Sequence, residues 1–364
     1  MKQLKYALIG CGRIATNHIK AAKENGLEII AVCDVKSENM QSLLEYHELA
    51  DDKSIKRYTD YKKLLDENEL DIVAVATVSD MHSEIALYAI EKSINVIIEK
   101  PMAMSITVAN LIVERAKEKG VIVSTCHQNR FNVAVQKTRK ALEEGRFGKM
   151  SHGSIHVRWN RDKNYYEQAS WRGTWKQDGG CLMNQCIHGI DLLIWMLGEV
   201  ESVYGVLRNN QHPYIEAEDV GMAVLTFKNG AVATIEGTTN VYPNNLEETL
   251  CLFGDKGTVK LSGKSVNKIE TWDFEEKLES DTVTQGLEEK TTNVYGNGHV
   301  SLYNNVITAI RFGEPLLVGA EDGKRAVEIV LAIYQSAKLK KPVSIPLTAV
   351  RSIDFTGLFE DKIN

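Results

Sequence analysis

The apolar run Tyr6-Ala7-Leu8-Ile9 ends on Gly10-Cys11-Gly12-Arg13-Ile14-Ala15. Helical spacing follows over Ile14–Asn25, and a second apolar run, Glu28–Cys33, stops at Asp34. A strand, a glycine turn, a helix and a second strand in that register leave few folds open. The first glycine permits a tight turn, the second lets phosphates approach the backbone, and Ala15 lets helix and strand pack closely. A helix start also offers N–H groups and the positive end of its dipole, so Gly10, Gly12, Arg13 and Ile14 are assigned to a dinucleotide site. Asp34, about 20 residues beyond the glycines, is suited to accept from the adenosine ribose hydroxyls. Its charge repels a 2′-phosphate, so NAD is expected rather than NADP; Lys36 reads as a solvated surface lysine.

The same grammar continues. Asp71–Ala76, Asn95–Glu99 and Val121–Thr125 are further almost continuously apolar runs, as strands covered on both faces must be, and helical segments such as Ile106–Lys119 separate them. This predicts a doubly wound parallel sheet, an NAD-binding Rossmann domain over residues 1–125. Beyond about residue 150 the pattern changes. Val220–Phe227 and Ala231–Thr238 flank Lys228-Asn229-Gly230, and Leu250–Phe253 and Thr258–Leu261 flank Gly254-Asp255-Lys256-Gly257, two hairpin signatures. Helices are expected around Leu182–Leu197, His299–Phe312 and Gly323–Leu339. Residues 126–364 are therefore read as an α+β domain with a large, mainly antiparallel sheet, serving substrate binding and oligomerisation, with a cleft between the domains.

A length of 364 residues suits two domains. The net charge of −6 and the absence of a long basic tract argue against a nucleic-acid partner, and they oblige any anionic substrate to find a local basic patch. No pair of the six cysteines has the spacing of a zinc knuckle or redox motif, so reduced thiols in a cytoplasmic protein are expected, with no metal. The first residues carry two lysines before apolar residues, but that run breaks at Gly10–Arg13 without a small-residue cleavage site and reads as a strand. No stretch approaches the ~20 apolar residues of a membrane span.

Two further segments carry chemistry. Glu99-Lys100-Pro101 stands at the end of the fifth strand, where open α/β sheets bind their ligands, so Lys100 is expected beside the nicotinamide with a lowered pKa. Gly179-Gly180-Cys181-Leu182-Met183-Asn184-Gln185-Cys186-Ile187-His188-Gly189-Ile190-Asp191 places Asn184 and His188 at i and i+4 of one helix, with Asp191 three further on. A neutral histidine suits the role of general base in alcohol oxidation, with Asp191 fixing its tautomer. The alternatives are a core histidine satisfied by Asp191, and a metal site from Cys181, Cys186 and His188, which do not share one helical face.

G-C-G-R-I-A, E-K-P and G-G-x-L-M-N-Q-x-x-H-x-x-D-L-L together resemble the Gfo/Idh/MocA oxidoreductase family. The resemblance implies that Lys100 and His188 act together on a substrate hydroxyl. Most members carry Asp where this chain has Asn184, so Asn184 is assigned to orienting substrate. Ala76-Thr77-Val78-Ser79 replaces the proline of the family's A-T-P loop, while Thr77, Ser79 and His82 keep cofactor-side positions, as does Glu99.

A narrower resemblance runs along nearly the whole chain. Gln128-Asn129-Arg130, Trp159-Asn160-Arg161, Tyr165-Tyr166, Trp171-Arg172-Gly173-Thr174-Trp175, Val266-Asn267-Lys268-Ile269-Glu270 and Val294-Tyr295-Gly296-Asn297-Gly298-His299 are similar to the UDP-N-acetylglucosaminuronate 3-dehydrogenases. These serve the synthesis of diacetamido-uronic acids for bacterial surface polysaccharides. The resemblance implies oxidation of the C3 hydroxyl of a UDP-sugar, a product passed to an aminotransferase, and a homo-oligomer, dimer or tetramer. Trp159 and Arg161 are expected on one face of a strand, and arginines suit a carboxylate or pyrophosphate. Asn129, Arg161 and Tyr166 are assigned to substrate, and Gln128, Trp171 and Arg172 to cofactor. A relative acting on a free sugar or inositol, and an NAD-sensing regulator without catalysis, are the competing readings.

Overall fold

The computed structural model describes residues 2–290 and 296–360, so Val294 and Tyr295 of the last string lie outside the described residues. The chain divides into two units, one of residues 1–103, 107–126 and 299–324, the other of 104–106, 127–298 and 325–364.

The first unit is the doubly wound sheet expected. Its elements alternate as β1 (Lys5–Ile9), α1 (Ala15–Glu24), β2 (Glu28–Cys33), α2 (Ser37–Tyr46), β3 (Lys56–Tyr58) and α3 (Tyr61–Glu67). They continue as β4 (Ile72–Val75), α4 (Ser79–Glu91), β5 (Asn95–Ile98), α5 (Ile106–Lys119) and β6 (Val123–Thr125). All strands are parallel, in the order β3-β2-β1-β4-β5-β6. The order reverses between β1 and β4, which puts Gly10 and Ala76-Thr77 at the switch point where such sheets bind ligands. β3 escapes a sequence reading because Lys-Arg-Tyr at a sheet edge has neither length nor apolar character.

The second unit opens with a 3-10 turn, Gln128–Phe131, and α6 (Val133–Glu143). There follow β7 (Met150–Arg158), α7 (Lys163–Glu167), α8 (Cys181–Asn184), α9 (Ile187–Leu197), β8 (Val200–Arg208), β9 (Val220–Phe227) and β10 (Val232–Thr238). Then come β11 (Glu247–Gly254), β12 (Gly257–Ser262), β13 (Lys268–Phe274) and α10 (Asp281–Thr284). The chain closes with α11 (Gly298–Phe312), which from His299 on belongs to the first unit, α12 (Ala320–Leu339), divided between the units at Lys324, and β14 (Val343–Ser344) of the second. The sheet runs β13-β12-β11-β7-β10-β9-β8-β14, and β7–β10 is its one parallel pair. Both hairpins form as the Lys228-Asn229-Gly230 and Asp255-Lys256 turns require. α9 lies close on β7 because a Cβ on Gly189 would fall 2.7 Å from Ile155 Cγ1, so only glycine permits the approach. No helix among the described residues is long and apolar enough to cross a membrane.

Two local expectations are corrected. The helix expected over Leu182–Leu197 is broken at Gln185–Cys186, where the Cys186 N–H reaches back five residues to the Cys181 carbonyl at 2.9 Å. That widened turn separates α8 from α9. Asn184 and His188 thus stand on consecutive helices instead of one regular face. The ladder of β7 stops at Arg158, so Trp159 and Arg161 do not lie on a regular strand; their N–H groups follow Thr238 and Thr239 carbonyls at 3.1 and 3.0 Å.

Candidate active site

In the first unit the glycine turn is built as its sequence dictates. Gly10 has φ +97°, and a Cβ there would sit 2.3 Å from the Ala76 carbonyl oxygen. The turn and the Ala76-Thr77 segment therefore touch backbone to backbone. At Gly12, chain neighbours aside, no atom of the described residues lies within 4 Å of where a Cβ would sit, which leaves room for phosphate. Arg13 and Ile14 lead into α1, whose N-terminus has no side-chain cap and no acidic residue in its first turn. Asp34 accepts from the Cys11 N–H at 2.8 Å, the Lys36 N–H at 2.9 Å and the Asn39 amide at 3.0 Å. These donors fix its carboxylate beside the glycine turn. The residues fit an NAD adenosine.

Thr77, Ser79 and His82 follow β4. His82, fully buried, lies 2.8 Å from the Pro101 carbonyl through Nδ1 and 3.1 Å from that of Thr77 through Nε2. It ties the loop after β4 to the loop after β5, which carries Lys100. Burial pulls its imidazole below the ordinary value, and the two carbonyls oppose that in part.

Glu99 is the centre of a network the sequence did not reveal. Its Oε1 accepts from His18 Nε2 at 3.1 Å and His299 Nε2 at 3.4 Å, and its Oε2 accepts from the Lys100 N–H at 3.2 Å. Behind it, His18 Nδ1 lies 2.7 Å from the Tyr303 hydroxyl, itself 2.9 Å from that of Tyr6. Burial would raise the Glu99 carboxyl, but the hydrogen bonds from both histidines outweigh it and hold the group well below the usual carboxylate range. Among the described residues His18, Glu99, Cys126 and His299 are a set whose metal-ligand atoms lie within 4.8 Å of one another. It differs from the Cys181, Cys186 and His188 alternative, and hydrogen bonds join both histidines to the carboxylate. Sequence spacing could not find it, because these residues come from α1, α11 and the ends of β5 and β6.

In the second unit His188 opens α9, 8% exposed. Its ring stands edge-on to His127, centroids 5.7 Å apart, and its Nε2 is 3.5 Å from Gln128 Nε2. Both oxygens of Asp191 accept from Arg130, at 2.6 and 2.8 Å, in a pair 0% and 3% exposed. The described hydrogen bonds of Asp191 thus go to Arg130, where its spacing from His188 suggested a tautomer-fixing role. Asn184 at the end of α8 donates its amide to Asp178, a residue not singled out from the sequence. Asn129, in the 3-10 turn, is buried with its Oδ1 lacking a hydrogen-bond partner among the described residues.

Arg161 and Arg172 converge on one ring: their guanidinium carbons lie 5.0 and 4.1 Å from the Tyr165 centroid, and each also stacks on its neighbour, Trp159 or Trp171. Arg161 reaches Asn245 Oδ1 at 3.1 Å, but the Nε of each arginine is buried without a hydrogen-bond partner among the described residues. Tyr166, beside them, is buried with its hydroxyl 3.3 Å from Thr239 Oγ1, and burial raises its pKa.

Residues 4–127 match the oxidoreductase family's NAD-binding Rossmann fold and residues 139–345 its C-terminal alpha/beta domain. The WlbA dehydrogenase of Bordetella pertussis, solved with NADH and UDP-GlcNAcA, is 33% identical and superposes with a TM-score of 0.87 over 96% of this chain and 99% of that one. The WlbA enzyme of Chromobacterium violaceum, solved with the same two ligands, is 32% identical at TM-score 0.87, over 96% and 97%. A myo-inositol 2-dehydrogenase of Thermotoga maritima is 26% identical over 94% of this chain and 98% of its own. Family match, glycine turn and Asp34 carboxylate agree: the chain belongs to the Gfo/Idh/MocA family and is an NAD-dependent oxidoreductase.

Proposed function

We propose that the protein oxidises the C3 hydroxyl of a UDP-N-acetylglucosaminuronate-type sugar nucleotide to a ketone. The observation that carries this reading is the Arg161–Tyr165–Arg172 stack. It holds two guanidiniums whose Nε–H donors are buried and have no hydrogen-bond partner among the described residues, in a chain of net charge −6. Fixed donors of this kind suit carboxylate and pyrophosphate: those of Arg172 would meet the cofactor's phosphates, and those of Arg161 an anionic group that a UDP-uronate carries and inositol does not. In this reading Arg161, Asn129 and Tyr166 serve the sugar nucleotide, while Arg172, Trp171 and Gln128 serve the cofactor side. The likeness to two dehydrogenases solved with UDP-GlcNAcA supports the same choice.

NAD supplies the hydride acceptor. His188 removes the hydroxyl proton, Lys100 donates to the same oxygen and favours its developing negative charge, and Asn184 orients the sugar. Thr77, Ser79, His82 and Glu99 shape the cofactor side around Lys100. The 3-keto product would pass to an aminotransferase in surface-polysaccharide synthesis. All six cysteines are free, which fits a cytoplasmic setting. Tyr204 opposes Val224 and Val206 opposes Met222 on the exposed face of β8 and β9, an apolar patch suited to self-association into a dimer or tetramer. The test is to incubate the protein with NAD and either UDP-N-acetylglucosaminuronate, glucose or inositol, following NADH absorbance. Turnover of the UDP-sugar alone is expected; comparable turnover of inositol would overturn the assignment.

A further inference from the structure

Asp178 lies in the turn between the Trp171–Trp175 segment and α8, 2% exposed. Its Oδ2 accepts the Gly173 N–H at 2.6 Å, and its Oδ1 accepts from the Asn184 side-chain amide. The turn closes on itself through Asp178 N–H to the Thr174 carbonyl at 3.1 Å and Gly179 N–H to the same carbonyl at 2.9 Å. One buried carboxylate therefore joins the backbone next to Arg172 to the side chain of Asn184.

An ionised carboxylate only accepts hydrogen bonds, so the amide nitrogen of Asn184, and not its oxygen, must face Asp178. That fixes which way the amide is turned. We propose that Asp178 is a positioning residue that holds Asn184 as a hydrogen-bond acceptor toward the sugar, an inference that rests on the function assigned above. Asn184 thereby reads a hydroxyl or amide N–H of the substrate with its oxygen, and Asp178 forbids a second carboxylate at position 184. Two carboxylates at hydrogen-bond distance cannot both ionise, and one must keep a proton.

The pairing can be inverted without losing a hydrogen bond. When Asp178→Asn and Asn184→Asp are combined, the amide oxygen at position 178 accepts from the Gly173 N–H and the amide nitrogen there donates to the carboxylate at position 184. Position 184 again offers an acceptor. Asp178→Asn, Asn184→Asp and the double swap would be compared with the unmutated protein in kcat, KM and Tm from pH 6 to 9. Each single substitution is expected to lower kcat/KM with the UDP-sugar at least about tenfold, the scale of one mispaired charged hydrogen bond. The loss in Asn184→Asp should lessen as pH falls and the pair takes up a proton. The double swap should return to within about threefold of the unmutated protein, a rescue that a purely packing role would not give. A double swap no better than its worse parent, or Asp178→Asn with unchanged kcat/KM, would overturn the proposal. Should the unmutated protein oxidise no UDP-sugar, the functional reading fails by itself. The pairing is then read from Tm, which in Asn184→Asp alone should drop steeply with rising pH and recover in the swap. A Tm profile unchanged by Asn184→Asp overturns the pairing.

Discussion

Asp191 offers the sharpest separation of structure from chemistry. Its carboxylate and the Arg130 guanidinium form a two-pronged pair at 2.6 and 2.8 Å, almost wholly out of water, and the guanidinium also lies 4.7 Å over the Trp195 ring. Asp191→Ala would leave a buried cation without its counter-charge, which costs about 3–5 kcal/mol. Spread over a unit of roughly 200 residues, that corresponds to a fall of roughly 6–20 °C in its melting temperature. Removing both charges is a different perturbation. Arg130→Met with Asp191→Leu replaces the pair by apolar groups of similar volume, which is often neutral or stabilising by about 1–4 kcal/mol. The double variant should therefore melt above Asp191→Ala. Scanning calorimetry on the three proteins, with NAD affinity as a control on the first unit, measures the order. A melting temperature for Asp191→Ala within a degree of the unmutated protein would refute the structural assignment. If that protein also lost the pH dependence of turnover, Asp191 would regain the role of orienting His188.

Three further outcomes are expected. His188→Asn should keep fold and NAD affinity while kcat falls by roughly 10²–10⁴-fold, the worth of a positioned general base, and a folded variant with near-normal single-turnover rate would refute the assignment. Asp34→Ala should weaken NAD and narrow its advantage over NADP, measured by titrating both cofactors; tighter NADP binding by the unmutated protein would contradict the role of Asp34. Burial pushes the carboxyls of Glu218 and Glu248 up to about 8, and neither Glu248 oxygen has a partner among the described residues. The folded state then binds more protons than the unfolded one, so stability falls as pH rises from the ordinary carboxyl range to about 8. Glu248→Gln should remove part of that slope and raise the unfolding midpoint in denaturant at pH 9, and an unchanged slope would count against it.

The alternation of apolar runs with helical spacing, the glycine turn and Asp34 made the doubly wound sheet of the first unit legible from the sequence alone, because each is a local requirement of backbone or solvent. Strands buried on both faces must be apolar, and a tight turn at φ +97° must be glycine. The Asn-Gly hairpin was legible for the same reason. Partners distant in sequence were not. Glu99 meets His299, two hundred residues away, only because β5 and α11 belong to one unit. Arg130 claims Asp191 across sixty-one residues, which no helical periodicity around His188 could announce. The break between Asn184 and His188 was hidden as well, since Cys186 bonds back to Cys181 without any glycine or proline to mark it. Residue types told which chemistry the chain could carry; which charges neutralise each other, and which way Asn184 turns its amide, were decided by packing, because electrostatic pairing depends on distance in space and not along the chain.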